Sequence, residues 1–147
     1  MRGLGRSLER VALDSSVLIE IVAGSHSVKQ LVEDIAGGLI EAYTSSLNMV
    51  EVLYVTCRMW GKEEALLRFS KLLESRMISI VDLESLLFEI ADCKCKIPLS
   101  LGDCATLALA KKHRLTPLFL GMEEDLRTAG GRVGGWLGLE LRLVLEE

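Results

Sequence analysis

Short apolar segments alternate along this chain with longer segments in which apolar residues recur at helical spacing. The apolar segments have the length of buried strands, and turn residues such as glycine, serine or proline lie close to most of them. Strands that alternate with helices at this spacing form a mostly parallel sheet with helices on both faces. The pattern therefore predicts an α/β fold.

The individual elements can be assigned from the same periodicity and from capping residues. The predicted strands are 11–14, 40–43, 77–81, 117–120 and a closing strand at 137–144. The predicted helices are 15–22, 27–36, 47–60, 62–75, 82–91, 102–113 and 123–128. In helix 62–75, Leu66, Leu67, Phe69, Leu72 and Leu73 form the expected buried side. The glycine-rich segment 130–135 is expected to be a flexible connection.

Length and composition limit the classes of protein to consider. The chain has 147 residues, half of them hydrophobic, which predicts one domain spanning 1–147 with a substantial core. No apolar run approaches the ~20 residues of a membrane span, and the N-terminus lacks the apolar stretch of a secretory signal. We therefore expect a cytoplasmic protein that has no membrane partner.

Charge and cysteine content argue against two kinds of site. The net charge of −4 disfavours nucleic-acid binding by bulk electrostatics, although a local basic rim or bound cations remain compatible with it. The four cysteines lack a C-x-x-C pair, so zinc has little support. Cys57 and Cys104 fall in apolar helical patterns and are expected to be small buried residues, whereas Cys93 and Cys95 could form a disulfide or lie on the surface.

Two aspartates lie where an open parallel sheet places its ligands, outside the carboxyl ends of the strands. Asp14 ends the first predicted strand, and Asp103 opens the helix that follows Ser100. Each also has an ordinary explanation, because aspartate is a common helix N-cap and Ser100 with Asp103 resembles a capping box. Either residue alone is explained better by capping.

Further carboxylates come from two other parts of the chain. Glu51 lies in an apolar stripe of its predicted helix, which requires either a metal or an ion pair with a residue such as Arg58. Glu123 and Asp125 follow the strand at 117–120, where an acidic helix start is the simpler explanation. The joint placement of these acids on one rim of the sheet predicts a site for Mg²⁺ or Mn²⁺, which prefer oxygen ligands.

These motifs, in this order, resemble the PIN-domain family and specifically its VapC-type toxin ribonucleases. The resemblance spans nearly the whole chain. It consists of a hydrophobic-Asp-Ser-Ser motif at 11–16, a glutamate at 51 that follows Ser45 and Ser46, and a Ser-x-x-Asp-Cys-Ala run at 100–105 that leads into an alanine-rich helix. The third motif is the most specific.

The resemblance implies a three-layer α/β/α sandwich with four or five strands, and a metal-dependent endoribonuclease. Asp14, Glu51 and Asp103 would bind the metal, and Ser15 and Ser100 would support the site by hydrogen bonds. The fourth acid departs from the family's common Thr-x-Asp, and Glu123 is the expected substitute, with Asp125 next. The implied partners are RNA as substrate, a cognate antitoxin and a second copy in a homodimer.

Three alternatives remain open at this point. The chain could be an RNA-processing PIN nuclease without an antitoxin, or a catalytically impaired PIN domain that acts as a binding module. A nucleotide-binding or receiver-like α/β domain is disfavoured, because the glycine-rich segment 130–135 follows no strand directly and precedes none of the predicted helices.

Overall fold

The computed structural model describes residues 8–145, so most of the arginine-rich N-terminal segment lies outside the described residues. Five strands form one sheet, in the order β3-β2-β1-β4-β5, and every adjacent pair is parallel. The strands are β1 (Glu9–Leu13), β2 (Ile40–Ser45), β3 (Ile78–Val81), β4 (Thr116–Phe119) and β5 (Arg142–Leu143). The predicted α/β class with a parallel sheet is confirmed.

Helices cover both faces of this sheet. The α-helices are α1 (Ser15–Ala23), α2 (Lys29–Ala36), α3 (Ser46–Trp60), α4 (Lys62–Ser75), α5 (Leu87–Lys96), α6 (Leu101–His113), α7 (Glu124–Thr128) and α8 (Gly130–Leu137). Short 3₁₀ turns, His26–Val28 and Leu83–Leu86, precede α2 and α5. None of the helices within 8–145 is both long and apolar enough to cross a membrane.

The central strand β1 separates two hydrophobic cores because successive side chains of a strand point to opposite faces. Ala12 belongs to the core formed largely by α5, α6 and α8, and Val11 and Leu13 belong to the core formed with α1, α2 and α3. All three side chains are fully buried. Burial on both faces explains why the strand sequence is continuously apolar rather than alternating.

The strand order reverses direction at β1, whose neighbours are β2 on one side and β4 on the other. Leu13 pairs with Leu118, so β1 and β4 end close together, and the Asp14 amide donates to the Leu118 carbonyl at 3.0 Å. In open parallel sheets the crevice at such a switch point is the usual ligand site. The fold therefore directs attention to the residues that follow β1, β2 and β4.

The C-terminal part of the chain differs from the prediction in two ways. The segment 130–135 was expected to be a flexible connection, but it forms most of α8, which buries Val133 and Leu137 against α6 and α7. The expected strand at 137–144 is reduced to the two residues of β5. Glycine has a low helix propensity, and here burial of the two apolar side chains outweighs that preference.

Two helices of the middle region also differ from the prediction. The predicted helix at 82–91 is a 3₁₀ turn followed by α5, which continues to Lys96. In α4 the bounds agree with the prediction, but its expected buried side is confirmed only for Phe69 and Leu72, which pack against the core. Leu66, Leu67 and Leu73 are exposed, Phe69 and Leu72 are only half-buried, and Ala65 is the buried residue of this helix.

The cysteines form a pair that the sequence did not indicate. Cys93 of α5 and Cys104 of α6 are both fully buried and form a disulfide bond. Cys104 is buried as expected, but it is not an unpaired residue. Cys95 is an exposed thiol and Cys57 is half-buried, so a bond between Cys93 and Cys95 is not formed.

Candidate active site

Asp14 follows β1 directly and serves as the N-cap of α1. Its side chain is 3% exposed, and both of its oxygens accept hydrogen bonds. Oδ2 accepts from the Ser16 amide at 3.1 Å and the Ser16 hydroxyl at 2.7 Å, and Oδ1 accepts from the Thr106 hydroxyl of α6 at 2.8 Å. Burial raises the pKa of Asp14, and these hydrogen bonds partly oppose that rise.

Glu51 projects from the second turn of α3 towards the start of α6. Its Oε1 accepts a hydrogen bond from the Ser15 hydroxyl at 2.8 Å. A Cβ atom built on Gly102 would lie 2.3 Å from the same oxygen. The carboxylate therefore packs directly over Gly102, in space that any other residue at position 102 would occupy.

Asp103 lies in the first turn of α6 and is 8% exposed. The Ser100 hydroxyl caps this helix by accepting from the Asp103 amide at 3.1 Å. Desolvation raises the pKa of Asp103 to about 7, with further contributions from the charges of Asp14, Glu123 and Glu51. A hydrogen bond between the side chains of Ser100 and Asp103 lowers this pKa and so acts in the opposite direction.

The fourth acid lies after β4. Glu123 is the N-cap residue of α7, but its side chain makes no capping hydrogen bond. Partial desolvation raises the pKa of Glu123, and the charges of Asp14 and Glu51 raise it further. Asp125 is exposed, and its charge raises the pKa of Glu123, whereas the charge of Glu123 raises the pKa of Asp103. Glu123 is therefore the better placed of the two candidates for a shared site.

The fold thus brings together the four acids that the sequence singled out. The charges of Asp14, Glu51 and Glu123 each raise the pKa of Asp103, in addition to desolvation, although the four acids come from separate segments of the chain. The ion pairs described within 8–145 involve other acids, including Glu9, Glu41 and Glu64. The suggested partner Arg58 stacks on the Tyr54 ring, with 5.1 Å between guanidinium carbon and ring centroid.

Two polar residues in this region were not identified as site residues from the sequence. Asn48 and Thr106 are fully buried, and their side chains connect the ends of α1, α3 and α6. The sequence feature that could have identified Asn48 is its position one helical turn before Glu51. Thr106 lies one turn after Gly102, in a run of otherwise apolar residues.

The donor set fits a hard divalent cation better than a softer metal. All four candidate side chains are carboxylates. Desolvation is the main cause of the raised pKa values of Asp103 and Glu123, and repulsion from the other acids raises both further. No three His, Cys, Asp or Glu side chains within residues 8–145 form a ready-made metal cage. A cation at this site would therefore require the carboxylates to move closer together, and its charge would relieve their repulsion.

Solved structures with a similar fold come from three organisms. A toxin-antitoxin complex from Klebsiella pneumoniae matches with a TM-score of 0.58 and 19% identity, covering 79% of this chain and 89% of that one. VapBC2 from Rickettsia felis, bound to a DNA fragment from its promoter, matches with a TM-score of 0.65 and 15% identity over 80% and 92%. A protein from Pyrobaculum aerophilum matches with a TM-score of 0.52 and 13% identity over 94% and 96%.

Sequence comparison gives the family directly. The curated protein sequences contain no significant match to this chain. The PIN domain family, in contrast, matches residues 11–129, which is most of the chain and includes all four candidate acids. The chain therefore belongs to the PIN-domain family.

Proposed function

We propose that this protein is a divalent-metal-dependent endoribonuclease that hydrolyses RNA phosphodiester bonds, within a single nuclease domain. Membership of the PIN family indicates nuclease activity. The metal and catalytic residues of the proposal are Asp14, Glu51, Asp103 and Glu123, and the cofactor is Mg²⁺ or Mn²⁺. The main support is the buried Asp103 carboxylate, whose pKa is raised first by desolvation and then by the charges of Asp14, Glu123 and Glu51, which come from distant segments.

Different residues of the chain have different roles at this site. Ser16 and Thr106 donate hydrogen bonds to the two oxygens of Asp14, and Ser15 donates one to Glu51. These bonds restrain both carboxylates near the site, so that a cation has only to draw them closer together. Burial makes the charged form of Asp103 unfavourable without a cation. When bound, a divalent ion supplies a Lewis acid that activates water and stabilises developing charge on phosphate oxygens.

Glu123 has a different position from the other three acids. It is exposed at the rim of the site, where substrate would arrive, whereas Asp14 and Asp103 are buried. In the proposal it completes the set of acids for the cation and leaves the phosphodiester accessible. Asp125 is a supporting residue that adds negative charge beside Glu123.

Cleavage of RNA by the purified protein tests the proposal. We expect products with Mn²⁺ or Mg²⁺, none with a chelator, and a loss of at least about 100-fold for Asp103→Asn, because that change removes a charged ligand. A DNA strand of the same sequence tests the choice of substrate. Equal cleavage by wild type and Asp103→Asn would contradict the assignment of the site.

A PIN domain that binds a partner without cleaving is the second candidate. The observation in its favour is that Asp14 has both oxygens engaged in hydrogen bonds and that the acids of residues 8–145 form no ready-made cage. This candidate predicts that Asp103→Asn binds RNA or protein partners as the wild type does, with no metal-dependent cleavage by either protein.

We further propose that the nuclease is the toxin of a toxin-antitoxin pair and forms a homodimer. The fold likeness to the toxin-antitoxin complexes from Klebsiella pneumoniae and Rickettsia felis supports the first part. For the second, Leu87 and Phe88 of α5 are exposed, Phe88 by 88%, as in many self-association surfaces. Growth arrest on expression, relieved by the product of an adjacent gene, and sedimentation of the purified protein test the two parts.

A further inference from the structure

Asn48 has no charge and is not one of the candidate ligands, but it contacts all three segments that supply the buried part of the site. It lies in the first turn of α3 and is fully buried. Its amide oxygen accepts a hydrogen bond from the Ser45 hydroxyl at 2.6 Å. The amide nitrogen donates to the Ser15 hydroxyl at 2.9 Å, the Gly102 carbonyl at 3.1 Å and the Thr106 hydroxyl at 3.2 Å.

The orientation of this amide follows from its partners. The Gly102 carbonyl can only accept a hydrogen bond, so the nitrogen of Asn48 must face it. The oxygen then faces Ser45, whose hydroxyl also accepts from the Asn48 amide of the backbone at 3.0 Å. The nitrogen has two hydrogens for three acceptors, so one hydrogen is shared between two of them.

The consequence for the acids comes from the single proton of each hydroxyl. Ser15 accepts from Asn48, and its proton is directed to Oε1 of Glu51 at 2.8 Å. Thr106 also accepts from Asn48, and its proton is directed to Oδ1 of Asp14 at 2.8 Å. The Gly102 carbonyl, an alternative acceptor for Thr106 at 3.2 Å, already receives a hydrogen bond from Asn48.

We propose that Asn48 is a positioning residue of this active site, which sets the donor direction of the Ser15 and Thr106 hydroxyls and so holds Glu51 and Asp14 in place as acceptors. The inference depends on the proposed nuclease function. It goes further by assigning a role to a neutral residue that is not one of the proposed metal ligands. Residues that orient metal ligands typically contribute about 10- to 100-fold to metal affinity or activity.

Asn48→Leu tests this role, because leucine has a similar volume but no hydrogen-bonding group. We expect Mn²⁺ binding to the protein without RNA, measured by calorimetry, to weaken by about 10- to 100-fold. The kcat for RNA cleavage should fall by a similar factor, with the KM for RNA changed less than about threefold, since Asn48 lies away from the exposed rim. Wild-type Mn²⁺ affinity and kcat for the variant would overturn the inference.

A matched control lies two turns further along the same helix. Thr56 is fully buried, and its hydroxyl donates within α3 to the carbonyls of Val52 and Leu53, at 2.8 Å and 3.2 Å. Thr56→Val therefore removes a buried polar group from α3 without touching the site. We expect wild-type metal binding from this variant, so a loss equal to that of Asn48→Leu would assign the effect to the helix and overturn the inference.

A double-mutant cycle with Ser15→Ala separates positioning from a general structural role. If Asn48 acts partly through Ser15, the loss of Mn²⁺ affinity caused by Asn48→Leu is smaller when Ser15 is already alanine. The proposal would be contradicted if Asn48→Leu and Ser15→Ala lowered the Mn²⁺ affinity independently and lowered the free energy of unfolding by equal amounts.

Two further outcomes are possible: the Asn48→Leu variant does not fold, or the wild type has no activity. If Asn48→Leu does not fold, Asn48→Asp replaces it, because aspartate keeps the shape but loses both donors. Its carboxylate would draw the Ser15 and Thr106 protons away from Glu51 and Asp14, so a wild-type kcat would overturn the inference. If the wild type itself neither binds Mn²⁺ nor cleaves RNA, the proposed function fails, and Asn48 with it.

Discussion

Gly102 offers a way to disturb the site with little effect on the fold. In Gly102→Ala the new Cβ would lie 2.3 Å from Oε1 of Glu51, whereas ordinary contacts begin near 3.4 Å. The carboxylate must therefore move by about 1 Å. This movement is cheap for the fold, because the displaced atoms are the end of a flexible side chain rather than backbone.

The two consequences of this change have different magnitudes. Alanine in place of a helical glycine stabilises by up to about 1 kcal/mol, and weakening the bond from Ser15 to Glu51 costs about 1.5–3 kcal/mol. The free energy of unfolding should therefore change by no more than about 2 kcal/mol. A displacement of about 1 Å in a catalytic group lowers rates by about 100-fold, and we expect that loss in RNA cleavage with Mn²⁺.

Gly134→Ala is the matched control, because Gly134 is also helical and a Cβ there would meet nothing within 4 Å. Thermal unfolding in chelator and cleavage kinetics should be measured for both variants and the wild type. Cleavage by Gly102→Ala within threefold of wild type would refute the assignment of Glu51 to the site. A large decrease in the free energy of unfolding of Gly102→Ala would refute the claim that only the Glu51 side chain moves.

Two other predictions follow from the site and its surroundings. Burial and neighbouring acids raise the pKa of Asp103 to about 7, so the folded state binds more protons than the unfolded state from about pH 4 to 7. In chelator the melting temperature should fall as pH rises through this window, and a wild-type slope for Asp103→Asn would contradict this. The Cys93–Cys104 disulfide predicts two titratable thiols in the denatured protein before reduction and four after it. Reduction should lower the free energy of unfolding by about 2–3 kcal/mol. Four thiols without reductant would exclude the bond.

Local sequence patterns were sufficient to predict the elements whose signals are local. The bounds of α4 agree with the prediction because the helical period is continuous from Lys62 to Ser75 and Gly61 precedes it. The parallel sheet followed from the alternation of strands with helices. In contrast, α8 was missed because glycine composition suggested a loop, and only the contacts of Val133 and Leu137 with the core favour a helix.

The candidate acids could be predicted because each lies at a strand end or a helix start, and the resemblance gave their order. The hydrogen bonds around these acids could not be predicted, since Asn48 contacts Gly102 and Thr106, which are more than 50 positions away in sequence. The disulfide was missed for a similar reason. It requires α5 to continue past the predicted end at 91 and to pack along α6, which is a property of the tertiary structure.

The bond from Thr106 to Asp14 joins residues 92 positions apart, which affects when this protein becomes competent during its synthesis. Chains emerge from the ribosome N-terminus first, and domains fold as units. Strand β1 and helix α3 leave the exit tunnel long before α6, so a growing chain holds Asp14 and Glu51 without Asp103 and Glu123. The proposed site is therefore incomplete until most of the chain has been translated.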